Sequence, residues 1–121
     1  MRMRAMVAGV GMTRFGKHTE SGLKALGAAA VTAALEDAGL TPADLDAAFV
    51  GNAAAGVITG QECIRGQVVL RSLGIGKIPV VNVENACGSG STALHEACAL
   101  AQTAGVLVFA TLGKVPNANT K

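Results

Sequence analysis

The residue best suited to covalent chemistry is Cys87, which follows an apolar run and precedes a stretch of small residues. A strand is predicted at residues 79–84 and a helix from Ser89 to Ala104, so the thiol stands at a helix N-terminus. Unpaired backbone N–H groups and the helix dipole favour an anion there, and the thiolate is the nucleophilic form of cysteine. The pattern therefore predicts Cys87 as a nucleophile.

The residues after Cys87 are small enough to admit a substrate. Gly88, Ser89 and Gly90 would let a substrate approach the backbone, whose N–H groups are suited to stabilise an oxyanion, as in acyl transfer. The order of strand, nucleophile and helix resembles a nucleophile elbow, although Asn85 stands at the first position of G-x-C-x-G. The alternative is a buried structural cysteine, because cysteine is among the most buried residue types.

The other candidate side chains are poor partners for this thiol. His95 is eight residues further along the chain, about 12 Å along a regular helix and too far to take the proton directly. Cys98 lies roughly 16 Å away by the same rise, which excludes a disulfide. We expect both residues either to lie on the exposed surface of the helix or to pack in the protein core. We expect Cys63 to be a core residue of the second helix, and His18 to be a solvated loop residue, with a phosphate contact as the alternative.

Two glycine-rich segments lack residues that nucleotide sites need. Arg14 occupies the third position of the dinucleotide fingerprint that Gly9 and Gly11 would begin, and no Ser or Thr follows Lys77 as in a phosphate-binding loop. The three cysteines include no C-x-x-C pair, the spacing typical of zinc ligands. We therefore predict no bound nucleotide cofactor and no metal.

The elements that position Cys87 follow from apolar periodicity and end signals. Strands are predicted at residues 3–10, 46–52, 79–84 and 106–112, and helices at residues 21–38, 59–73 and 89–104. Gly39 is expected to cap the first helix, and Thr41 with Pro42 to start a turn. Thr59 and Glu62 match a capping box at the start of the second helix. This alternation predicts an α/β fold, with a mainly parallel sheet and helices covering both faces.

Composition limits the classes of function. The chain has 121 residues, Lys+Arg 10 against Asp+Glu 8, and only 2% aromatic residues, which argues against nucleic-acid binding. The odd count of three cysteines favours a reducing compartment. No apolar run is long enough for a secretory signal or a membrane span. We expect one cytoplasmic domain, with a polar tail at about residues 114–121 and a binding or interface loop at residues 51–60.

Several segments of the sequence, the one around Cys87 above all, resemble a known family. Residues 82–94 closely resemble the nucleophile segment of the thiolase superfamily, and residues 7–17, 38–46 and 50–52 resemble the sterol-carrier-type thiolases and thiolase-like lipid-transfer proteins. The resemblance covers about residues 5–112. It implies the N-terminal portion of the thiolase fold over residues 1–121, with Cys87 accepting an acyl group from an acyl-CoA and its own N–H contributing to an oxyanion hole.

The resemblance also implies what must complete the chain. Members of the superfamily are several-fold longer, and their catalytic histidine and second acid/base residue lie in the later part. We therefore expect a truncated chain, or one subunit that another chain completes. The strand at residues 80–84 is expected to pair antiparallel with its mate in a homodimer, although a hetero-oligomer is also compatible.

Two classes of function follow. The first is a thiolase-like acyl-CoA acyltransferase, or a subunit of one, that works through Cys87 and needs no cofactor besides the coenzyme A thioester. The second is a non-catalytic module that binds acyl-CoA or lipid or serves assembly. A retro-aldol lyase subunit acting on a bulky acyl-CoA is a further enzymatic alternative.

Overall fold

The computed structural model describes residues 4–104 and 106–111, in which strands and helices alternate. The strands are β1 (Met6–Met12), β2 (Ala48–Gly51), β3 (Val80–Val83) and β4 (Val106–Thr111). The helices are α1 (Leu23–Ala38), α2 (Ala55–Thr59), α3 (Arg65–Arg71) and α4 (Ser89–Ala104), with a short 3-10 helix at Pro42–Asp44. The predicted bounds of the helix at residues 89–104 are confirmed, whereas the strands are shorter or shifted by a few residues.

Both observed strand pairs are parallel. In the β2–β3 pair Ala48 lies opposite Val80 and Gly51 opposite Val83. In the β1–β4 pair Met6 lies opposite Val106 and Met12 opposite Thr111, with a register shift between Val7 and Gly9. Parallel strands require crossover connections, which the helices provide. The α/β class with parallel strand pairing is thereby confirmed, and the described strands form two two-stranded sheets.

Helices α3 and α4 lie on opposite faces of β2, as two adjacent strand residues demonstrate. A methyl group added at Gly66 of α3 would lie 2.8 Å from a methyl carbon of Val50, whereas one added at Gly51 would lie 2.7 Å from the backbone nitrogen of Gly90. Successive residues of a strand face opposite sides of the sheet. The helix that follows Cys87 is therefore packed against β2 from the side opposite α3.

Helix α1 packs on β1 through small residues. Gly9 and Gly11 leave no room for a side chain, because an added Cβ would meet the backbone of α1 at Ala30 and Ala34. On the same helix Leu26, Ala30, Ala34 and Leu35 belong to the buried core. Gly39 ends the helix in the left-handed region at φ 67°, and its N–H bonds to the carbonyls of Glu36 and Leu35, as the sequence predicted.

The predicted helix over residues 59–73 is wrong in its first part. Thr59 is the last residue of α2, where its hydroxyl donates to the Ala55 carbonyl at 2.6 Å. Gly60 follows with φ 77°, so the chain turns away before Glu62 can form a capping box with Thr59. The helix resumes only at Arg65.

Some expectations fall on residues outside the described part of the chain. These are the strand start at Met3, the strand end at Leu112 and the polar tail at residues 114–121. Among residues 4–104 and 106–111, no helix has the length and apolar character that a membrane crossing needs.

Candidate active site

The thiol of Cys87 is exposed at the junction of β3 and α4. Strand β3 ends at Val83 and α4 begins at Ser89, so a five-residue connection carries the cysteine between them. The predicted position at a helix N-terminus is confirmed, and the alternative of a buried structural cysteine is wrong for Cys87. An exposed thiol next to the positive end of a helix dipole has the geometry of a nucleophile.

The turn before the thiol contains a residue with unusual backbone geometry. Ala86 has φ 43°, in the left-handed region that side-chain-bearing residues rarely adopt and that costs of order 1–3 kcal/mol. Such a conformation persists only when the surrounding contacts hold it in place. The hydrogen bonds around Ala86 identify those contacts.

Ser89 supplies the central hydrogen bonds of this turn. Its hydroxyl accepts from the Asn85 N–H and donates to the Ala86 carbonyl, both at 2.8 Å. The Ser89 N–H also approaches the Ala86 carbonyl, at 3.3 Å. Ser89 is 4% exposed, so water does not compete for its hydroxyl.

Three further hydrogen bonds surround the thiol. The Gly88 N–H donates to the Asn85 carbonyl at 2.8 Å, and the Ala86 N–H donates to Glu84 Oε1 at 2.8 Å. The side-chain amide of Asn85 donates to Thr92 Oγ1 at 2.9 Å, which ties the turn to α4. The N–H groups of residues 85, 86, 88 and 89 thus bond within the turn, and the Cys87 N–H is not among them.

The three predicted loop residues differ in what they do. Gly88 is close to Asn85, whose side-chain nitrogen would lie 3.4 Å from an added Cβ, whereas a Cβ on Gly90 would point into open space. Because the Gly88 and Ser89 N–H groups bond within the turn, they are poor candidates for the oxyanion contact that the sequence suggested. Ser89 acts instead through its buried hydroxyl.

A second network fastens β3 to α3. Asn82 Oδ1 accepts from the Gly66 N–H at 2.6 Å, and its side-chain nitrogen donates to Gln67 Oε1 at 2.7 Å. Because Asn82 lies just upstream of the turn, these bonds fix the strand end from which Cys87 departs.

Residues 51–60, expected to form a binding or interface loop, are held by side chains. Asn52 Oδ1 accepts from the Ala55 N–H at 2.8 Å and so caps α2. Arg65 donates from Nη1 to the Asn52 carbonyl at 2.7 Å and from Nε to the Gln61 carbonyl at 3.0 Å. The sequence reasoning missed this arginine, because nothing in the spacing distinguished it from a solvated helix residue.

The remaining sequence candidates lie away from the thiol's hydrogen-bond network. His95 is exposed and lies 3.5 Å from Glu96, as expected of a helix surface residue, and Cys98 is partly buried. Cys63 is exposed in the connection before α3, so its assignment to the core of a helix is wrong. His18 Nε2 lies 2.6 Å from the Arg14 carbonyl. In the described part of the chain no three His, Cys, Asp or Glu residues cluster as metal ligands would.

An apolar cavity of about 470 Å³ opens beside this region. Its wall is formed by α1, β2, α2 and the first turns of α4, including Leu26, Val50, Ser89 and Ala93. The cavity therefore reaches the buried side of the residue that holds the Cys87 turn.

Comparison with known proteins agrees with this arrangement. Residues 5–113 match the family described as thiolase, N-terminal domain. The chain is 39% identical over 97 residues to the benzoylsuccinyl-CoA thiolase subunit BbsB of Thauera aromatica, covering 78% of this chain and 23% of that protein. It is 40% identical over 91 residues to the acetyl-CoA acetyltransferase of Methanocaldococcus jannaschii, covering 75% of this chain and 23% of that protein.

A third relative belongs to the sterol carrier proteins. The chain is 38% identical over 96 residues to sterol carrier protein 2 of Gallus gallus, covering 78% of this chain and 17% of that protein. The chain thus spans less than a quarter of the length of these curated relatives.

Proposed function

Because the chain belongs to the thiolase N-terminal domain family, we propose that it takes part in acyl transfer from an acyl-CoA, with Cys87 as the covalent nucleophile. The observation that carries this proposal is the exposed thiol held at the junction of β3 and α4. The names of two relatives, a benzoylsuccinyl-CoA thiolase subunit and an acetyl-CoA acetyltransferase, support a coenzyme A thioester as substrate.

The first chemical step is a thioester exchange. The Cys87 thiolate attacks the thioester carbonyl carbon and forms a tetrahedral oxyanion, which a hydrogen-bond donor stabilises. The bond from carbon to the coenzyme A sulfur then breaks, the leaving thiolate takes a proton, and the acyl group stays on Cys87 Sγ. The Cys87 N–H supports this step best, because the turn's own hydrogen bonds do not use it.

Turnover beyond this step requires groups that the described residues do not place near the thiol. We propose that a later part of a longer chain or a second subunit supplies them. The open edge of β3 supports a homodimer, since among residues 4–104 and 106–111 this strand pairs with β2 alone. Unpaired strand edges readily accept a further strand.

We also propose a cytoplasmic location. The three cysteines are free thiols, and free exposed thiols fit a reducing compartment.

Acyl loading of the 121-residue chain tests the proposed nucleophile. The chain is incubated with acetyl-CoA or palmitoyl-CoA and analysed by intact-mass spectrometry, with circular dichroism to verify that each sample is folded. We expect one acyl adduct that is absent in Cys87→Ala. Loading that persists in Cys87→Ala, or a folded wild type that takes no acyl group, would overturn the proposal.

Cys63→Ala is the matched control, because Cys63 is equally free and also exposed. Peptide mapping of the wild type should place the adduct on Cys87. Equal labelling of both cysteines would indicate unassisted chemistry between a thioester and any accessible thiol.

A binding or assembly module is the second candidate function. It is supported by the apolar cavity of about 470 Å³ and by the exposed apolar face of β1, where Met6, Val10 and Met12 are each more than half exposed. Sterol carrier protein 2 is among the relatives. Saturable binding of palmitoyl-CoA that Cys87→Ala retains, with no covalent adduct in the wild type, would favour this module. Cleavage of a carbon–carbon bond in a bulky acyl-CoA would indicate the lyase alternative.

A further inference from the structure

The peptide that joins Ala86 to Cys87 is fixed on one side and open on the other. Its carbonyl, from Ala86, accepts from the Ser89 hydroxyl at 2.8 Å and from the Ser89 N–H at 3.3 Å. Cys87 lies opposite Asn85 in an isolated β-bridge, but the backbone bond to the Asn85 carbonyl comes from the Gly88 N–H, and the Cys87 N–H is not a donor in the turn. This asymmetry is what an anion-binding peptide requires.

Peptide geometry links the two sides. The described residues contain no cis peptide bond, and in a planar trans peptide the C=O and N–H groups point in opposite directions. A contact that draws the Ala86 carbonyl toward the first turn of α4 therefore points the Cys87 N–H the other way. Since Cys87 is exposed, a substrate can reach the residue that carries this N–H.

We propose that Ser89 is a positioning residue, whose hydroxyl sets the orientation of the Ala86–Cys87 peptide and thereby aims the Cys87 N–H at the thioester oxygen. The aiming role rests on the proposed function of Cys87. Ser89 does not touch the substrate, and its effect passes through the peptide that it holds.

The left-handed conformation of Ala86 explains why such a residue is needed. At φ 43° this residue is strained, and rotation about its N–Cα bond would relieve the strain and turn the Ala86–Cys87 peptide with it. Ser89 opposes that rotation because its hydroxyl bonds to both sides of this bond, accepting from the Asn85 N–H and donating to the Ala86 carbonyl. The bonds are protected from water, since Ser89 is 4% exposed.

The test compares two reactions of the same thiol. Acyl loading from acetyl-CoA passes through an oxyanion, whereas alkylation by iodoacetamide is a displacement at a saturated carbon and needs no oxyanion donor. Removing an oxyanion donor outright slows reactions roughly 10²- to 10³-fold, so a donor that is merely misaimed should cost less. We expect Ser89→Ala to slow acyl loading about tenfold and to change alkylation less than about twofold.

Two further variants separate positioning from general disturbance of the helix. Ser91→Ala removes the same hydroxyl two residues further along α4, where the side chain is exposed, and should leave both rates unchanged. Ser89→Thr keeps a hydroxyl at the same position and should recover part of the lost acyl loading. Equal slowing of acylation and alkylation in Ser89→Ala would overturn the aiming role.

A spectroscopic measurement decides the orientation of the peptide independently of acyl loading. The chain is labelled with ¹⁵N at Cys87, and the ¹H–¹⁵N residual dipolar coupling of this amide, which depends on the direction of the N–H bond, is compared among wild type, Ser89→Ala and Ser91→Ala. We expect a changed coupling in Ser89→Ala alone. If the coupling is the same in wild type and Ser89→Ala, the inference is overturned even if acyl loading is normal. If the coupling changes in Ser89→Ala but the wild type takes no acyl group, only the function proposed for Cys87 is contradicted.

Discussion

Cys63 and Cys87 occupy similar positions at the starts of two helices, and the difference between them lies in the hydrogen bonds. Both thiols are exposed and free, and each lies two residues before the first residue of a helix. Each also neighbours a non-glycine residue with positive φ, Ile64 at 46° and Ala86 at 43°. Exposure, helix position and local strain therefore do not distinguish the two sites.

The side chains around the two helix starts do distinguish them. No side chain caps α3 at Ile64. At α4, in contrast, the Ser89 hydroxyl bonds to the Asn85 N–H and to the Ala86 carbonyl, which flank the strained N–Cα bond of Ala86. Helix α3 has 7 residues and α4 has 16 residues. The comparison teaches that the backbone before Cys87 is fixed by a side chain and the backbone before α3 is not, a difference that bears on the nucleophile proposed at Cys87.

The largest expected effect comes from the strand that supports α4. Gly51→Ala would place a methyl group 2.7 Å from the backbone nitrogen of Gly90, and backbone cannot move aside cheaply. We expect a loss of about 3 kcal/mol in the free energy of unfolding, measured by urea denaturation.

Gly90→Ala is the matched control, in the first turn of α4 itself. There an added methyl group has no atom within 4 Å, and alanine favours the helix. We expect a change of less than about 1 kcal/mol, toward greater stability. A similar loss in both variants would mean that the close approach of Gly51 to α4 is not what makes Gly51→Ala costly.

Arg65 should have the next largest effect, confined to the α3 side. Arg65→Ala removes the bonds to the Asn52 and Gln61 carbonyls, at a cost of about 2 kcal/mol in the free energy of unfolding. Limited proteolysis should then cut within residues 52–61, while the alkylation rate of Cys87 stays unchanged. Arg71→Ala, which alters an exposed residue at the end of the same helix, is the control. Loss of Cys87 reactivity in Arg65→Ala would show that the two helix starts are coupled.

A smaller effect separates strain from positioning. Glycine tolerates positive φ, so Ile64→Gly and Ala86→Gly should each stabilise the fold, by about 0.5 kcal/mol after the greater chain entropy of glycine is counted. Only Ala86→Gly should slow acyl loading, because it frees the peptide before Cys87. Equal acyl loading in both variants would argue against a role for the fixed backbone.

The smallest effect concerns the 3-10 helix at Pro42–Asp44, where a capping box is present. The Asp44 carboxylate accepts from the Thr41 N–H at 2.7 Å and from the Thr41 hydroxyl at 2.8 Å. The backbone hydrogen bond from Thr41, followed by the bond from its hydroxyl, lowers the pKa of Asp44 below its usual value of 3.8.

A lowered pKa in the folded state stabilises the protein above the unfolded-state value, and that stabilisation disappears as the pH falls through the folded-state value. The stability difference between wild type and Asp44→Asn should therefore be present at neutral pH and shrink below about pH 4. Urea denaturation at several pH values measures it, with Thr41→Val expected to reduce the pH dependence in part. A difference that does not vary with pH would contradict the assignment.

Two threonines that the sequence placed at the starts of turns or helices have different outcomes. Thr41 starts the predicted turn, and its N–H bonds to Asp44 three residues later. Thr59 forms no capping box with Glu62, because Thr59 ends α2 and Gly60 reverses the chain. The spacing is the same in both segments. The outcome depends on whether the preceding residues are already helical, which a four-residue pattern does not contain.

The sequence alone determined the α/β class, the parallel pairing and the start of α4 after Cys87. These features depend on local periodicity and on steric rules for connecting parallel strands, which act at short range. Gly39 was likewise predictable as a helix end, because glycine adopts positive φ without strain.

Only the tertiary structure decided what surrounds the thiol. Three features depend on how β2 packs against α4: the left-handed conformation of Ala86, the burial of the Ser89 hydroxyl and the close approach of Gly51 to the first turn of the helix. The hydrogen bond from Arg65 to the Asn52 carbonyl, 13 residues away in the sequence, likewise depends on the packed structure. Such contacts join residues that are distant in sequence, and their energies exist only when the packed elements hold the partners in place.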